Sequence, residues 1–221
     1  MTQDNQQIEG DVRAAVEADP AQIAERVRAI TLGALSRGVV DTPALKEVTQ
    51  AVLRGVQAAA PSLGAGQAAG LREAVRGLDE ALASAAQATQ LAMKEAMGRG
   101  SEFSRDGLKP SLDQLSRLES DFVSALGDVA RQASGTAQAT WRDLAEHARS
   151  SGTAVGARVQ AAVLDLGQAM GALARAQVDS GMRALGVQAE LLAGMAAGVL
   201  RGLADRLQPD ASAQQDTDRR D

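Results

Sequence analysis

Alanine is the feature of this sequence that most constrains its fold. The chain has 46 alanines among its 221 residues, whereas leucine contributes 24, valine 17, isoleucine 3 and phenylalanine 2. Alanine is the strongest helix former, and the β-branched and aromatic residues that favour strands are few and scattered. The sequence therefore predicts an all-α protein.

The same composition predicts a thin hydrophobic core. Burial of apolar surface contributes about 25 cal/mol per Å², and an alanine side chain has little surface to bury. Leucine, isoleucine, valine and phenylalanine together supply 46 of the 221 residues, which is close to the ~20% below which chains tend to stay disordered. We therefore expect self-association or a partner to add to the burial that stabilises the fold.

Proline and glycine divide the chain into regions. Asp19-Pro20 and Thr42-Pro43 each place a capping residue before a proline, the arrangement of a helix N-terminus. They predict two short helices, and a weaker helix is expected to precede both. The predicted regions are a disordered segment at 1–7, a short-helix N-terminal region at 8–62, a long-helix bundle at 66–207 and a disordered tail at 208–221.

The long-helix region is predicted to contain three amphipathic helices that form an elongated antiparallel bundle with a coiled-coil-like hairpin. Its first helix carries apolar and small residues at alternating spacings of four and three, the spacing of a coiled-coil seam. The members of this seam are Leu71, Val75, Leu78, Leu82, Ala85, Thr89, Ala92 and Ala96. The small residues at its C-terminal end would let a partner helix approach closely.

The segment from Thr153 to Leu207 is predicted to be one continuous helix. When its residues are projected at 100° each, most charges fall on a narrow stripe and the large apolar residues lie opposite. The pattern stays in phase across Gly181, which favours a single helix of ~80 Å. The apolar face comprises Val155, Val159, Val163, Leu166, Met170, Leu173, Leu185, Leu192, Met195, Val199 and Leu203.

Glycine pairs at a spacing of four recur in this last segment and resemble the small-xxx-small arrangement of closely packed helices. Gly152, Gly156, Gly167 and Gly171 lie opposite the charge stripe and are predicted to pack against another helix. The equally weighted alternative is that a composition rich in glycine and alanine produces such pairs by chance.

No arrangement of residues in the sequence predicts catalysis, a metal site or a cofactor. His147 is the one histidine and cysteine is absent, whereas structural zinc normally needs several such ligands. His147 is predicted to pair with a nearby carboxylate at a helix end. The glycines between Gly64 and Gly70 do not match the spacing of a dinucleotide-binding loop, and no phosphate-binding loop with a lysine is found.

Charge and hydropathy narrow the choice of partners. The net charge is −5 and the pI about 5.0, and no basic stripe is present, so a nucleic-acid partner is not expected. The longest uncharged apolar stretch, 191–200, is ten residues long, against the ~20 that span a bilayer. The N-terminus lacks the basic and apolar regions of a secretion signal, so we expect a cytoplasmic protein.

The alanine-, glycine- and glutamine-rich helices of residues 70–205, such as the stretch from Leu166 to Gln177, resemble bacterial phasins. Phasins are helical proteins that coat polyhydroxyalkanoate storage granules. The resemblance lies in composition and periodicity over about two-thirds of the chain, and the helices between Asp19 and Pro61 do not share it. It implies a granule-associated coat protein and carries no site residues with it.

Two functions are therefore weighed about equally. The first is a coat that lays amphipathic helices on a polyester granule or lipid surface. The second is a self-associating scaffold or interaction protein whose long helices pair in a bundle. An enzyme is the least favoured class, because the sequence offers no recognisable catalytic group.

If a thin core makes the fold depend on self-association, the thermal unfolding midpoint should rise with protein concentration. Circular dichroism across a hundred-fold concentration range measures this midpoint. A midpoint that does not move would show that the single chain is sufficient.

Overall fold

The computed structural model describes residues 3–37, 42–98, 105–180 and 189–207. Within these ranges the chain forms α-helices and two short 3-10 segments, at Pro20–Gln22 and Ala60–Gly66, and no strand, so the all-α prediction is confirmed. The α-helices are α1 Gln3–Ala18, α2 Ile23–Ser36, α3 Thr42–Ala59, α4 Gln67–Gly98, α5 Arg105–Gln132, α6 Ala137–Ser151, α7 Ala154–Ser180 and α8 Ala189–Leu207.

The first helix begins earlier than the sequence predicts. Residues 3–7, expected to be disordered, form the first turns of α1. Asn5 of α1 donates a hydrogen bond to Glu47 of α3, and Arg54 of α3 pairs with Glu9 four residues further along α1. Because α1 packs along α3 and buries Ile8, tertiary contacts order a segment whose own composition is polar.

The N-terminal helices and the long helices share one hydrophobic core. α2 packs against both α4 and α8, and α3 packs against α5. One cluster of buried side chains extends from Ile8 to Ala204. Residue 62 therefore separates shorter helices from longer ones along the sequence. In the described part of the chain, both sets of helices belong to the same hydrophobic core.

The centre of this core is α4. Leu71, Leu78 and Leu82 of the predicted seam are fully buried. The neighbours that cover α4 include α2, α7 and α8 of the same chain. Half of its fourteen buried residues are alanine, so the surrounding helices approach its axis closely.

α7 and α8 do not share one straight axis, as a straight helix from Thr153 to Leu207 would require. α7 runs parallel to α4, because Asp79 contacts the start of α7 and Lys94 contacts Asp165. α4 ends at Gly98, so a straight extension of α7 would run past the end of α4 and could not contact it. α8 nevertheless packs against α4 and α2. The Arg201 side chain of α8 donates to the Ser36 carbonyl oxygen at 3.0 Å. Gly181, across which the sequence pattern predicts a continuous helix, lies outside the described residues.

Two glycines that the sequence analysis did not select permit close contacts between helix backbones. A Cβ atom on Gly77 of α4 would overlap the backbone carbonyl of Ala24 in α2. A Cβ atom on Gly55 of α3 would lie 2.6 Å from the carbonyl oxygen of Glu9 in α1. Because the obstructing atoms belong to backbone, the helices would have to separate to admit even a methyl group.

Alanine substitutions at Gly77 and Gly167 should therefore have opposite effects. Gly77→Ala should lower the free energy of unfolding by about 1–3 kcal/mol through overpacking. A Cβ on Gly167, inside α7, meets no atom within 4 Å, so Gly167→Ala should raise stability by about 0.5–1 kcal/mol through helix propensity. Urea unfolding followed by circular dichroism measures both. Equal effects of the two variants would contradict the close contact between α2 and α4.

Candidate functional site

An open groove of about 970 Å³ lies between α4, α5, α6 and α7. Each of these helices supplies part of an apolar wall. The main apolar residues of the wall are Val75, Phe122, Leu126, Leu144, Val159 and Val163. Polar and charged side chains from the same helices complete the lining, so the groove combines apolar surface with a small number of ionic groups.

The start of α7 is anchored in this groove by a side chain from α4. The Asp79 carboxylate accepts hydrogen bonds from the backbone N–H groups of Ala154 at 2.7 Å and Val155 at 2.8 Å. Thr153 caps the same turn locally, because its hydroxyl oxygen accepts the N–H of Gly156 at 2.9 Å. Three N–H groups that a helix start leaves without a partner are thus satisfied.

Gly152 forms the turn between α6 and α7. Its φ of 78° lies in the left-handed region, which glycine adopts without strain and other residues rarely do. The chain leaves α6 at Ser151 and starts α7 at Ala154. The predicted role of Gly152 in close helix packing is therefore wrong, since no atom lies near a Cβ placed there.

Gly156 makes room for an acidic side chain of α5. A Cβ atom on Gly156 would overlap the carboxylate of Glu119, and the Thr153 hydroxyl donates a hydrogen bond to Glu119 Oε1 at 3.3 Å. The predicted close packing at Gly156 is therefore present, although the partner is a carboxylate side chain of α5.

The pKa of Asp79 is raised in the folded protein. Burial raises the pKa of Asp79 above its ordinary value of 3.8, the hydrogen bonds from Val155 and Ala154 oppose this rise, and the charges of Glu80 and Glu119 add to it. The folded protein therefore holds a proton on Asp79 more readily than a free aspartate would.

The basic side chains of the groove divide into paired and unpaired groups. Arg76 forms ion pairs with Glu73 and Glu80 along α4. Arg72 and His147 line the groove and are exposed, and neither has an ion-pair or hydrogen-bonding partner for its side chain in the described part of the chain. The predicted pairing of His147 with a carboxylate is therefore wrong.

The residues predicted to form an interaction face are distributed between the core, the groove and the surface. Val75, Gly152 and Gly156 line the groove, Leu166 is fully buried, and Val199 and Leu203 pack against the core. Gly167 is exposed and Gly171 is half-buried. The side chains of Met170, Leu173 and Leu192 lie outside the described residues.

Sequence reasoning missed Asp79, Glu119 and Arg72. A threonine before a helix start signals the local cap at Thr153. No local pattern relates Asp79 to Ala154, which is 75 positions away, because that contact depends on the parallel packing of α4 and α7.

Among the described residues, no group of three or more histidine, cysteine, aspartate or glutamate side chains is arranged to hold a metal ion. None of the described helices is both long and apolar enough to cross a membrane.

The fold and the groove define an all-α protein with a central helix and an open groove that combines apolar and ionic side chains. A family model described as a family of unknown function, DUF6781, matches residues 1–209, and the chain belongs to this family. Comparisons with curated proteins and with solved structures found no match.

Substitution of Asp79 tests the anchor of α7. Asp79→Ala removes both acceptor oxygens, so we expect the free energy of unfolding to fall by about 1–2 kcal/mol. Asp79→Asn keeps one acceptor and removes the buried charge, so its loss should be smaller. Urea unfolding at neutral pH measures both variants, and equal losses would contradict the anchoring role of the side-chain oxygen.

The pH dependence of stability gives a second readout of the same group. Because the pKa of Asp79 is raised on folding, its contribution to stability falls as pH rises through the folded-state pKa. The free energy of unfolding of the natural protein, taken relative to Asp79→Asn, should therefore be highest at or below pH 3.8 and decline above it. A difference that increases with pH would contradict the raised pKa.

Proposed function

We propose that this protein is a non-enzymatic binding protein that acts as a closed helical bundle and engages its partner at the groove between α4, α5, α6 and α7. The observation that carries the proposal is the position of the apolar face of α7. Val155 and Leu166 are fully buried and Val159 is 6% exposed, because this face packs against α4 and α5. In the closed bundle Val155, Val159 and Leu166 are therefore not available to bind a surface.

The shape of the groove supports the same proposal. Ligand sites are concave and combine apolar walls with a few polar groups, and this groove has both. Asp79 and Thr153 hold the start of α7 in place, so the wall is preorganised. In this proposal the protein acts in the cytoplasm, and self-association through its outer surfaces remains a separate prediction.

A phasin-like coat is the second candidate, and one observation favours it. The interior of α4 is built largely from alanine and glycine, and small residues bury less apolar area than leucine would. When such a bundle opens, each interior residue exposes less apolar surface than a leucine would, so opening costs less free energy. As a coat, the protein would open and lay α7 and its neighbours on a polyester granule or neutral lipid surface.

Purified protein mixed with polyester granules or a triglyceride emulsion separates the two candidates. A closed binding protein should stay in the supernatant after centrifugation, and backbone amide exchange of α4 and α7 should be unchanged by the emulsion. Co-sedimentation with loss of protection in both helices would overturn the closed-bundle proposal in favour of the coat.

A control variant tests whether the closed bundle attaches to the emulsion through its exposed leucines. Leu91 and Leu164 are the exposed large apolar side chains found among the described residues. If the natural protein sediments with its exchange pattern unchanged and the double variant Leu91→Ser/Leu164→Ser does not, the closed bundle attaches through these two leucines. If the double variant also sediments and α7 loses protection, the apolar face of α7 has become the attachment surface.

A further inference from the structure

The groove carries opposite charges that lack a partner of the other sign. The Arg72 guanidinium of α4 is exposed and has no ion-pair or hydrogen-bonding partner in the described structure. Asp79 of α4 and Glu119 of α5 are bonded to neutral donors, namely two backbone N–H groups and the Thr153 hydroxyl. Arg76 is held by two glutamates of its own helix, and no cation among the described residues pairs with either carboxylate. The groove can therefore accept both an anionic and a cationic group of a ligand.

The directions of the helices place these charges at two ends of the groove. The segment that follows α5 meets the start of α4, because the Thr136 hydroxyl donates to Gln67 Oε1 at 2.8 Å. Glu119, earlier on α5, lies at the level of Asp79, because both side chains bond to the start of α7. α4 and α5 are therefore antiparallel. Arg72 precedes Asp79 by seven residues, which corresponds to about 10 Å along a helix, so the cation and the carboxylates lie at opposite ends.

Apolar side chains line the groove between these two ends. Val75 of α4 lies between the charged positions of that helix and belongs to the lining. On α5, Phe122 and Leu126 also line the groove, and they follow Glu119 by about one and two helical turns. Because α5 is antiparallel to α4, these two side chains extend from the level of Glu119 back toward the level of Arg72. An apolar chain that joins two opposite charges therefore has a wall to pack against.

Asp79 shows the effect of the missing cation. Burial raises the pKa of Asp79, the hydrogen bonds from two backbone N–H groups oppose this rise, and the charges of Glu80 and Glu119 add to it. A cation close to a carboxylate has the opposite effect, because it favours the charged form. An ammonium group of a ligand at this end would therefore compensate carboxylates that the described part of the protein leaves without a cation.

The size of the groove favours a small molecule over a protein partner. Its volume of about 970 Å³ falls in the range of about 300–1,000 Å³ that is typical of small-molecule sites. A protein interface needs a broad patch with an apolar centre. Leu91 and Leu164 are the large apolar side chains exposed on the described surface, and two side chains do not make such a patch.

We propose that this groove binds a linear zwitterion, a molecule with a carboxylate at one end, an ammonium at the other and an apolar chain between them. The carboxylate pairs with Arg72, the ammonium contacts Asp79 and Glu119, and the chain packs on the apolar wall that separates the two ends. A guanidinium pairs with a carboxylate through two parallel N–H bonds, and an ammonium donates up to three hydrogen bonds. This inference rests on the proposed function and specifies the ligand class of its groove.

Isothermal titration calorimetry with 8-aminooctanoate at neutral pH tests the ligand class, because its extended chain is about as long as the spacing from Arg72 to Asp79. The natural protein should bind it with a stoichiometry near one. Octanoate keeps the anion alone and octylamine keeps the cation alone, so each should bind about ten-fold more weakly. 4-Aminobutanoate has both charges on a chain too short to reach both ends, so it should also bind at least about ten-fold more weakly.

Two variants each remove one charge from the groove. Arg72→Gln should weaken 8-aminooctanoate binding about ten-fold and should not weaken octylamine binding. Glu119→Gln should weaken 8-aminooctanoate binding about five-fold, because Asp79 still faces the ammonium, and should not weaken octanoate binding. The matched controls Arg142→Gln and Glu25→Gln, at exposed positions outside the groove, should leave every affinity unchanged. Circular dichroism checks that each variant is folded before titration.

Failure of this inference is distinguishable from failure of the proposed function. No binding of 8-aminooctanoate overturns the ligand class, and so does equal affinity for octanoate or octylamine. If Arg72→Gln weakens octylamine as much as 8-aminooctanoate, or if the control variants weaken binding equally, the placement of the two charges is wrong. None of these titrations moves α7 onto a lipid surface, so the closed-bundle proposal is judged separately by sedimentation and amide exchange.

Discussion

The close contact between α2 and α4 at Gly77 is the constraint on which much of the structure depends. Without a side chain at this position, the backbone of α2 reaches the surface of α4 at Ala24. The alanines further along α4 let α7 and α8 approach in the same way. Because these side chains are small, several helices can pack close to the axis of α4, and the bundle gains its buried area from their number. Larger side chains would fill the same space with fewer helices.

This packing determines which surfaces of the bundle are accessible to a partner. Val155, Val159 and Leu166 of α7 are buried inside the bundle, so they do not form a free surface in the closed state. The turn at Gly152 starts α7 at the level of Asp79 on α4, and the groove is lined by the end of α6, the start of α7, and the facing parts of α4 and α5. The groove is thus a product of how α6 and α7 meet.

The electrostatics of the groove follow from the same junction. The first turn of α7 brings N–H groups into the groove, and Asp79 and Thr153 satisfy them. Glu119 is held over Gly156 and bound by Thr153. These acidic groups have structural partners, whereas Arg72 on the preceding turns of α4 has none among the described residues.

The sequence by itself determined the helical class and the buried positions of α4, because alanine content and the spacing of Leu71, Leu78 and Leu82 are local properties of one helix. It did not distinguish Gly77, which meets a backbone, from Gly167, which meets nothing. It also did not indicate that α7 and α8 both pack on α4. Only the tertiary structure decided these points and the pairing of Asp79 with α7, because they depend on which helix lies opposite, and a periodic pattern carries no information about its partner.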